Sequence, residues 1–237
     1  MRIVAWNLGH QTKERLIRDG FAKAIAQLKP DVLTLNEYVH GPSRTKLLVS
    51  LTEIGLSHIL VSERIGSHNQ VLIASRTRII SGQLKAPSIS AADNSNFLHI
   101  RLPNENLDVV GMRVPAYKEN EKKAAYWREF FQIAASVALQ RVVFIGDLNV
   151  NPMSSRYVGS RYLNQLVESG WQLPSPKGPW SYISKTGANS RIDHALVSSA
   201  LKVTAISYVT GVGGIKLAGA DDDAFSDHAA LVADFQI

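Results

Sequence analysis

Two polar residues stand two positions apart at the end of an apolar run. Residues 142–145 (VVFI) are typical of a buried strand, and the segment GDLN follows, with Asp147 and Asn149 as its polar members. In an extended segment, residues two apart point to the same side, so both groups would face one spot at the edge of a sheet. The ordinary alternative is a tight turn, because Gly, Asp, Asn and Pro are all turn formers.

Four further strand-like runs carry polar residues at their ends. Asn7 follows RIVAW, Glu37 follows VLTLN, Asp193 begins the run in SRIDHALVS, and Asp227 and His228 precede AALVADF. If the strand order brings these ends together, they form one site.

The carboxylates in this set predict a cation site. Glu37, Asp147 and Asp227 could supply the oxygen ligands that a hard cation such as Mg²⁺ or Mn²⁺ prefers. We therefore expect metal-assisted chemistry where these strand ends meet.

Each of these residues also has an ordinary explanation when it is taken alone. Glu37 could cap a loop, Asp193 could be half of an ion pair with Arg191, and His228 could be a hydrogen-bonded core histidine. Only the joint pattern across five strand ends argues against these explanations.

Composition limits the class of protein. The chain has 237 residues, of which 45% are hydrophobic and 19% charged, so it is globular rather than disordered. It has no cysteine, which excludes disulfides and thiolate metal sites. The N-terminus turns polar too early for a signal peptide, and no apolar run approaches the ~20 residues of a membrane span. We expect a cytoplasmic protein whose net charge of +6 weakly favours an anionic partner.

Hydrophobic periodicity predicts helices and strands in alternation around a central run of strands. Helices are predicted from Thr12 to the stop at Pro30, and over 43–55, 119–139 and 158–169. The core stripe of the helix over 119–139 consists of Trp127, Phe130, Phe131, Ala134 and Val137. Strands are predicted over 2–6, 32–35, 57–62, 70–75, 78–84, 96–102, 107–114, 141–146, 180–183, 191–198, 202–209 and 229–236. Two βα-rich parts joined by strands indicate two packed sheets with helices outside.

The motifs identify a family resemblance. The segments IVAWNLG, PDVLTLNEY, GDLNVNP, SRIDHALVS and SDHAALVADF resemble, in order, those of the endonuclease/exonuclease/phosphatase superfamily. The resemblance runs from residue 3 to residue 235 and implies one catalytic domain over 1–237. It implies an α/β fold, a four-layer α/β/β/α sandwich of two packed mixed sheets flanked by helices. It also implies metal-dependent hydrolysis of phosphate esters.

The resemblance implies a role for each matching residue. Glu37 looks like the main ligand of Mg²⁺ or Mn²⁺, with Asp227 nearby and Asn7 completing the site through water or phosphate. Asp147 looks like the group that orients or deprotonates the attacking water, and Asn149 like the residue that holds the water or phosphate.

The last matching residues would contact the scissile phosphate. His228 would hydrogen-bond it, and Asp193 would hold the other imidazole nitrogen and favour the charged ring. Relatives have His or Tyr where this chain has Arg113, in VVGMRVPAY. Arg113 can hold phosphate oxygens with two hydrogen bonds, but it cannot act as a general acid. The alternative is a surface arginine at a strand end.

Two residues are further substrate-binding candidates. Asn69 could reach the substrate phosphate, and Tyr117 could join an aromatic and cationic rim suited to nucleic acid, although a core or ordinary surface position suits it equally. The Gly-rich segment 211–219 and the acidic run 221–223 are open to two interpretations, a solvated loop and a substrate-facing lid.

Three functions compete. The first is a divalent-metal-dependent phosphodiester hydrolase, a nuclease in which an Asp-activated water attacks in line. The second is a phosphatase or phosphodiesterase acting on a small or lipid phosphoester. The third, a non-catalytic nucleic-acid-binding member, predicts the loss of Glu37, Asp147, Asn149 or His228, and all four are present. No obligate protein partner is evident.

Overall fold

Two mixed β-sheets pack face to face, and helices cover their outer faces. The computed structural model describes residues 1–9 and 17–237. The predicted helix start at Thr12 therefore lies outside the described residues.

The described strands are numbered in chain order. They are β1 (Arg2–Asn7), β2 (Val32–Tyr38), β3 (His58–Val61), β4 (Gln70–Ser75), β5 (Ile80–Ser81), β6 (Phe97–Leu102), β7 (Leu107–Arg113), β8 (Val142–Asp147), β9 (Tyr182–Ile183), β10 (Asn189–Ser190), β11 (Asp193–Val197), β12 (Lys202–Val209), β13 (Gly211–Val212), β14 (Ile215–Lys216) and β15 (Ala230–Gln236). The described helices are α1 (Phe21–Leu28), α2 (Arg44–Glu53), α3 (Ala92–Ser95), α4 (Asn120–Ser136) and α5 (Val158–Glu168).

Each large sheet has one parallel pair of strands at its centre. The first sheet has the order β12-β15-β1-β2-β4-β3, with β1 and β2 parallel. The second has the order β11-β8-β7-β6-β5, with β7 and β8 parallel. Because both are mixed sheets with helices outside, the predicted α/β sandwich is confirmed.

Three apolar clusters separate the four layers. On β1, Ile3 and Ala5 enter the cluster between the sheets, whereas Val4 and Trp6 enter the one beneath α1 and α2. This alternation follows from the two-residue period of a strand. The third cluster lies between the second sheet and α4 with α5. The sheets are therefore held face to face by apolar burial, which fixes the positions of their edges.

Helix α4 buries three of the five residues of the predicted stripe, whereas Phe131 is partly buried and Val137 lies just after the helix end. Trp127, Phe130 and Ala134 are buried at steps of three and four residues, against Phe144 of β8. Helix α1 ends as predicted, because Lys29 turns into the left-handed region (φ 53°) directly before Pro30.

The Gly-rich segment, for which the sequence is compatible with a loop or a lid, contains a hairpin. β13 and β14 pair across Gly213 and Gly214, whose φ angles are 54° and 78°. Two successive positive φ angles suit the tight hairpin turn, and glycine adopts them without steric cost.

The predicted strand at 78–84 was too long, because β5 covers only Ile80–Ser81.

Among the described residues, no helix combines the length and the apolar character that crossing a bilayer requires.

Candidate active site

The strand ends predicted to carry chemistry meet at one edge of the sandwich. In the first sheet, parallel pairing places Asn7 opposite Asn36, directly before Glu37. In the second sheet, it places Arg113 opposite Asp147, which also pairs with Asp193 of the antiparallel β11. The site therefore draws on both sheets.

An open cleft of about 790 Å³ lies at this edge. Six of the predicted site residues line it: Glu37, Arg113, Asp147, Asn149, Asp227 and His228. Asn7 and Asp193 lie behind them. The Asn7 Nδ2 donates to Asp147 Oδ2 at 3.0 Å, and Asp193 Oδ2 is 2.9 Å from His228 Nδ1. The structure thus brings together eight of the ten predicted residues.

Two of these residues have strained backbones. Glu37 has a φ of 54° at a register shift between Leu35 and Tyr38, and Asn149 has a φ of 51°. Positive φ costs a non-glycine residue about 1–3 kcal/mol and concentrates at functional sites. The bulge turns Glu37 out of the regular strand alternation and into the cleft.

Gly146 allows β7 and β8 to approach closely before Asp147. Its φ is 142°, and a Cβ there would lie 2.1 Å from the Met112 carbonyl oxygen and 2.7 Å from Asn36 Oδ1. A side chain at this position would push Arg113 away from Asp147. This explains the glycine in GDLN.

Asp147 is a buried carboxylate whose protonation state is tuned by its surroundings. It is 2% exposed, and its Oδ1 accepts the backbone N–H of Asn149 at 2.9 Å. Burial, followed by the charge of Asp193, raises the pKa of Asp147 to about 6, against the opposing effects of His228 and Arg113. A carboxylate with a pKa near neutrality suits a general base.

Arg113 points into the cleft. Its Nε lies 2.9 Å from Glu37 Oε1 and 3.7 Å from Asp147 Oδ2. The guanidinium therefore lies close enough to the Asp147 carboxylate for both to contact one phosphate. The surface-arginine alternative is wrong.

His228 and Asp193 form a buried pair. The Nδ1–H donates to the Asp193 carboxylate, and the Tyr182 ring lies 5.0 Å from the imidazole. Burial lowers the pKa of His228, but the charge and hydrogen bond of Asp193 outweigh it and raise the pKa to about 9. The ring is therefore a cation at neutral pH, with Nε2 left to donate to a substrate. Arg191 instead contacts the carbonyls of Pro176 and Gly178.

The donor atoms in the cleft fit a magnesium-type ion. Glu37 and Asp227 offer carboxylates, although among the described residues no three His, Cys, Asp or Glu side chains form a ready-made metal cluster. Mg²⁺ usually binds through one or two carboxylates, several waters and substrate phosphate, and does not need an all-protein cage. The Asn7 side chain donates from Nδ2 to Asp147 and accepts at Oδ1 from the Gly9 backbone N–H, so it orients the Asp147 carboxylate directly.

The last two predicted residues lie apart from this cleft. Asn69 precedes β4, half-buried, and is not among the residues that line the cleft. The Tyr117 hydroxyl donates to Asp93, and the ring lines a second cavity. Neither residue joins the group around Asp147.

Tyr182 and Lys185 line the cleft but were not among the predicted site residues. The Tyr182 ring lies beside the His228 imidazole at an angle of 52° between the ring planes. Lys185 lies between β9 and β10 and lines the cleft, and nothing in its sequence context distinguishes it from a surface lysine. Residues 219–222 and 224–228 line one wall, so Asp221 and Asp222 of the acidic run face the cleft, whereas of the Gly-rich segment only Gly219 does.

The fold and this site together define an enzyme that hydrolyses phosphoric esters. The chain belongs to the Endonuclease/Exonuclease/phosphatase family, whose sequence profile matches residues 4–228. No curated protein matches the chain in sequence.

Solved structures share the fold over the whole chain. An AP endonuclease from Archaeoglobus fulgidus has a TM-score of 0.73 at 18% identity, covering 100% of both chains. The 3′ phosphatase NExo from Neisseria, bound to a product DNA hairpin, has a TM-score of 0.70 at 17% identity, covering 100% of both chains. Truncated TDP2 from Caenorhabditis elegans has a TM-score of 0.68 at 16% identity, covering 100% of this chain and 97% of that one.

Proposed function

We propose that the protein is a divalent-metal-dependent phosphodiester hydrolase, and specifically a nuclease. The observation that carries the proposal is a buried carboxylate, Asp147, held between the cations Arg113 and His228 in an open cleft. Phosphoryl transfer asks the protein mainly for positioning and for stabilisation of charge. This arrangement offers a base for water and donors for phosphate oxygens.

Asp147 accepts the proton of the attacking water. Its orientation is fixed by the Asn7 amide on Oδ2 and by the Asn149 backbone on Oδ1. The Asn149 side chain donates to the Val114 carbonyl at 2.7 Å, which holds it at the cleft wall. A base with fixed lone pairs positions the water for in-line attack.

Arg113 and His228 stabilise the charge that develops on the phosphate. Arg113 supplies a planar, permanently charged fork, and His228 supplies an Nε2–H whose positive charge Asp193 maintains. Donors aimed at developing charge in a water-poor site are among the largest contributions to catalysis.

Glu37 and Asp227 would hold Mg²⁺ or Mn²⁺, with Asn7 nearby. Such an ion, when bound, supplies Lewis-acid stabilisation of phosphate and leaving-group oxygens. Acidic residues outnumber cations along the cleft, where Asp221 and Asp222 join Glu37, Asp147 and Asp227. An anionic substrate would be repelled without a further positive charge, which supports the need for a metal.

The choice of nucleic acid over a smaller substrate rests on charge and on relatives. The chain carries a net charge of +6, and two similar structures are an AP endonuclease and a DNA-bound 3′ phosphatase.

One observation favours the second candidate, a phosphatase or phosphodiesterase for a small or lipid phosphoester. The exposed Asp221 and Asp222 on the cleft wall oppose a long polyanion there.

A substrate panel tests the proposal. Single-stranded, double-stranded and abasic DNA, RNA, inositol phosphates and bis-p-nitrophenyl phosphate would be assayed with Mg²⁺, with Mn²⁺ and with EDTA. We expect metal-dependent cleavage of at least one nucleic acid. Cleavage of inositol phosphates alone would select the second candidate, and turnover of no substrate would overturn both.

Replacement of Arg113 by lysine is expected to lower kcat/KM about 10-fold, and replacement by alanine more, because an ammonium keeps the charge but loses the planar fork. Arg101→Lys is a matched control, since Arg101 pairs with Asp108 in the same sheet, away from the cleft. Steady-state kinetics with one nucleic-acid substrate would measure the effect. An Arg113→Lys enzyme as fast as wild type would remove Arg113 from the mechanism.

Removal of the His228 or the Asp193 side chain is expected to lower kcat severely, but the two losses should not be cumulative. His228→Ala and Asp193→Ala should each lower kcat by about 10²-fold, the scale of losing one transition-state donor. The double variant should be little slower than His228→Ala, because residues that act as a unit are non-additive. His99→Ala is the control, since His99 bonds Asp108 in a similar buried pair elsewhere. Losses that multiply would show that the two residues act separately.

A further inference from the structure

A second cavity, of about 210 Å³, adjoins the catalytic cleft. It lies between the segment after β7 and the helices α4 and α5. Asn149 lines both the cleft and this cavity, so the two spaces are neighbours on either side of Asn149. A substrate whose phosphate lies in the cleft can therefore place a neighbouring group in the cavity.

The walls of this cavity are aromatic and rigid. The Tyr117 hydroxyl bonds Asp93 and Ser90, which fixes its ring against Tyr126 at 6.1 Å between centroids. Trp127 packs on Gly159, where a Cβ would lie 2.4 Å from the indole. Tyr126 and Trp127 are almost completely buried and make the walls rigid, so the flat faces open to an entering ring are those of the half-buried Tyr117 and the half-exposed Tyr157.

Polar groups are few and specific. Tyr126 is 1% exposed, and its hydroxyl has no hydrogen-bond partner among the residues that the structure describes. A buried hydroxyl without a partner costs free energy, and a ligand with an acceptor or donor in the cavity would remove that cost. Lys123 and the half-exposed Tyr157 also line the cavity. Lys123 adds positive charge next to this space.

We propose that this cavity is a nucleobase subsite, which receives the base of a nucleotide adjoining the scissile phosphate. The inference rests on the proposed phosphodiesterase function and names the part of the substrate that the enzyme recognises. Aromatic faces stack with every base, and the lysine complements the phosphates on either side. The volume lies below the range of about 300–1,000 Å³ that holds a drug-sized ligand, so it suits one ring system. The Tyr126 hydroxyl then pairs with a ring nitrogen or an exocyclic group.

The proposal is tested by binding, separately from turnover. Adenosine 5′-monophosphate and ribose 5-phosphate carry the same sugar and phosphate and differ in the base. Calorimetry in Mg²⁺ is expected to show at least roughly tenfold tighter binding of adenosine 5′-monophosphate, the scale of one stacked base. Val158→Phe, which fills the cavity from α5, should abolish the difference. Val167→Phe, at an exposed position of the same helix, should preserve it.

A second variant keeps the subsite testable if Val158→Phe misfolds. Tyr126→Phe keeps the ring and removes only the hydroxyl, and it should weaken binding of adenosine 5′-monophosphate roughly fivefold, with ribose 5-phosphate unaffected. Equal affinity of the wild type for the two ligands, or no binding of either, would overturn the subsite. A preference for dihexanoyl phosphatidic acid that Val158→Phe removes would also overturn the subsite, because that result would assign the cavity to an acyl chain. Base-dependent binding without hydrolysis of any phosphodiester would instead retain the subsite and reject the proposed function.

Discussion

An Asp147→Asn enzyme is expected to cleave its substrate about 10² to 10⁴ times more slowly than wild type, the usual contribution of a general base. The amide has the shape of the carboxylate and can still receive the Asn149 backbone N–H. It cannot take a proton from water. Because no charge is left buried, the fold should survive, and kcat should fall more than KM changes.

The measurement is single-turnover cleavage at saturating Mg²⁺, with thermal unfolding as a check on the fold. Asp108→Asn is the matched control, since Asp108 is also a buried carboxylate of the second sheet, bonded to His99 and Arg101. It should lose stability and keep its rate within threefold. If Asp147→Asn also stays within threefold of wild type, Asp147 is not the base.

The Glu37→Gln enzyme is expected to fall to the rate that wild type shows in EDTA, at least about 10³-fold below full activity, because a bound cation contributes several kcal/mol to transition-state stabilisation. Glutamine keeps the size of the side chain but loses the charge that attracts the ion. The change also removes the negative charge beside Arg113. Arg113 still has an anionic neighbour in Asp147, because 3.7 Å separates Arg113 Nε from Asp147 Oδ2.

Two readouts separate metal loss from other damage. Calorimetric titration with Mn²⁺ should show weakened binding in Glu37→Gln, and Glu53→Gln, at the end of α2 and exposed, should bind as wild type does. Activity should be plotted against metal concentration for both variants. Full turnover of the wild-type enzyme in EDTA would refute metal dependence and the role of Glu37 together.

Much of this architecture could be predicted from local patterns. The stripe of Trp127, Phe130 and Ala134 predicted α4 and its buried face, because a helix places residues three and four apart together. The polar residues after apolar runs predicted one edge for the site, since the carboxyl ends of parallel strands share an edge. Asn7, Glu37 and Asp147 lie at that edge.

Other features depend on which strands become neighbours, and local patterns do not contain that information. The pairing of Arg113 with Glu37 follows from the packing of one sheet on the other, which no spacing along the chain reveals. Tyr117 was expected at the rim of the catalytic cleft, but its bond to Asp93 turns it toward the adjoining cavity. The β13–β14 hairpin was not predicted, because its glycines suggest a loop. The tight turn of the hairpin requires the same glycines.

The strand pairing of the first sheet has a consequence for how the enzyme is made. β15 lies between β12 and β1, so residues 230–236 pair with residues 2–5 across almost the whole length of the chain. His228, which precedes β15, reaches its place beside Asp193 only when this late strand inserts. A growing polypeptide on the ribosome therefore carries Glu37 and Asp147 long before His228 can lie beside Asp193. The pair of His228 and Asp193 therefore forms only after residues 230–236 have been synthesised and have inserted between β12 and β1.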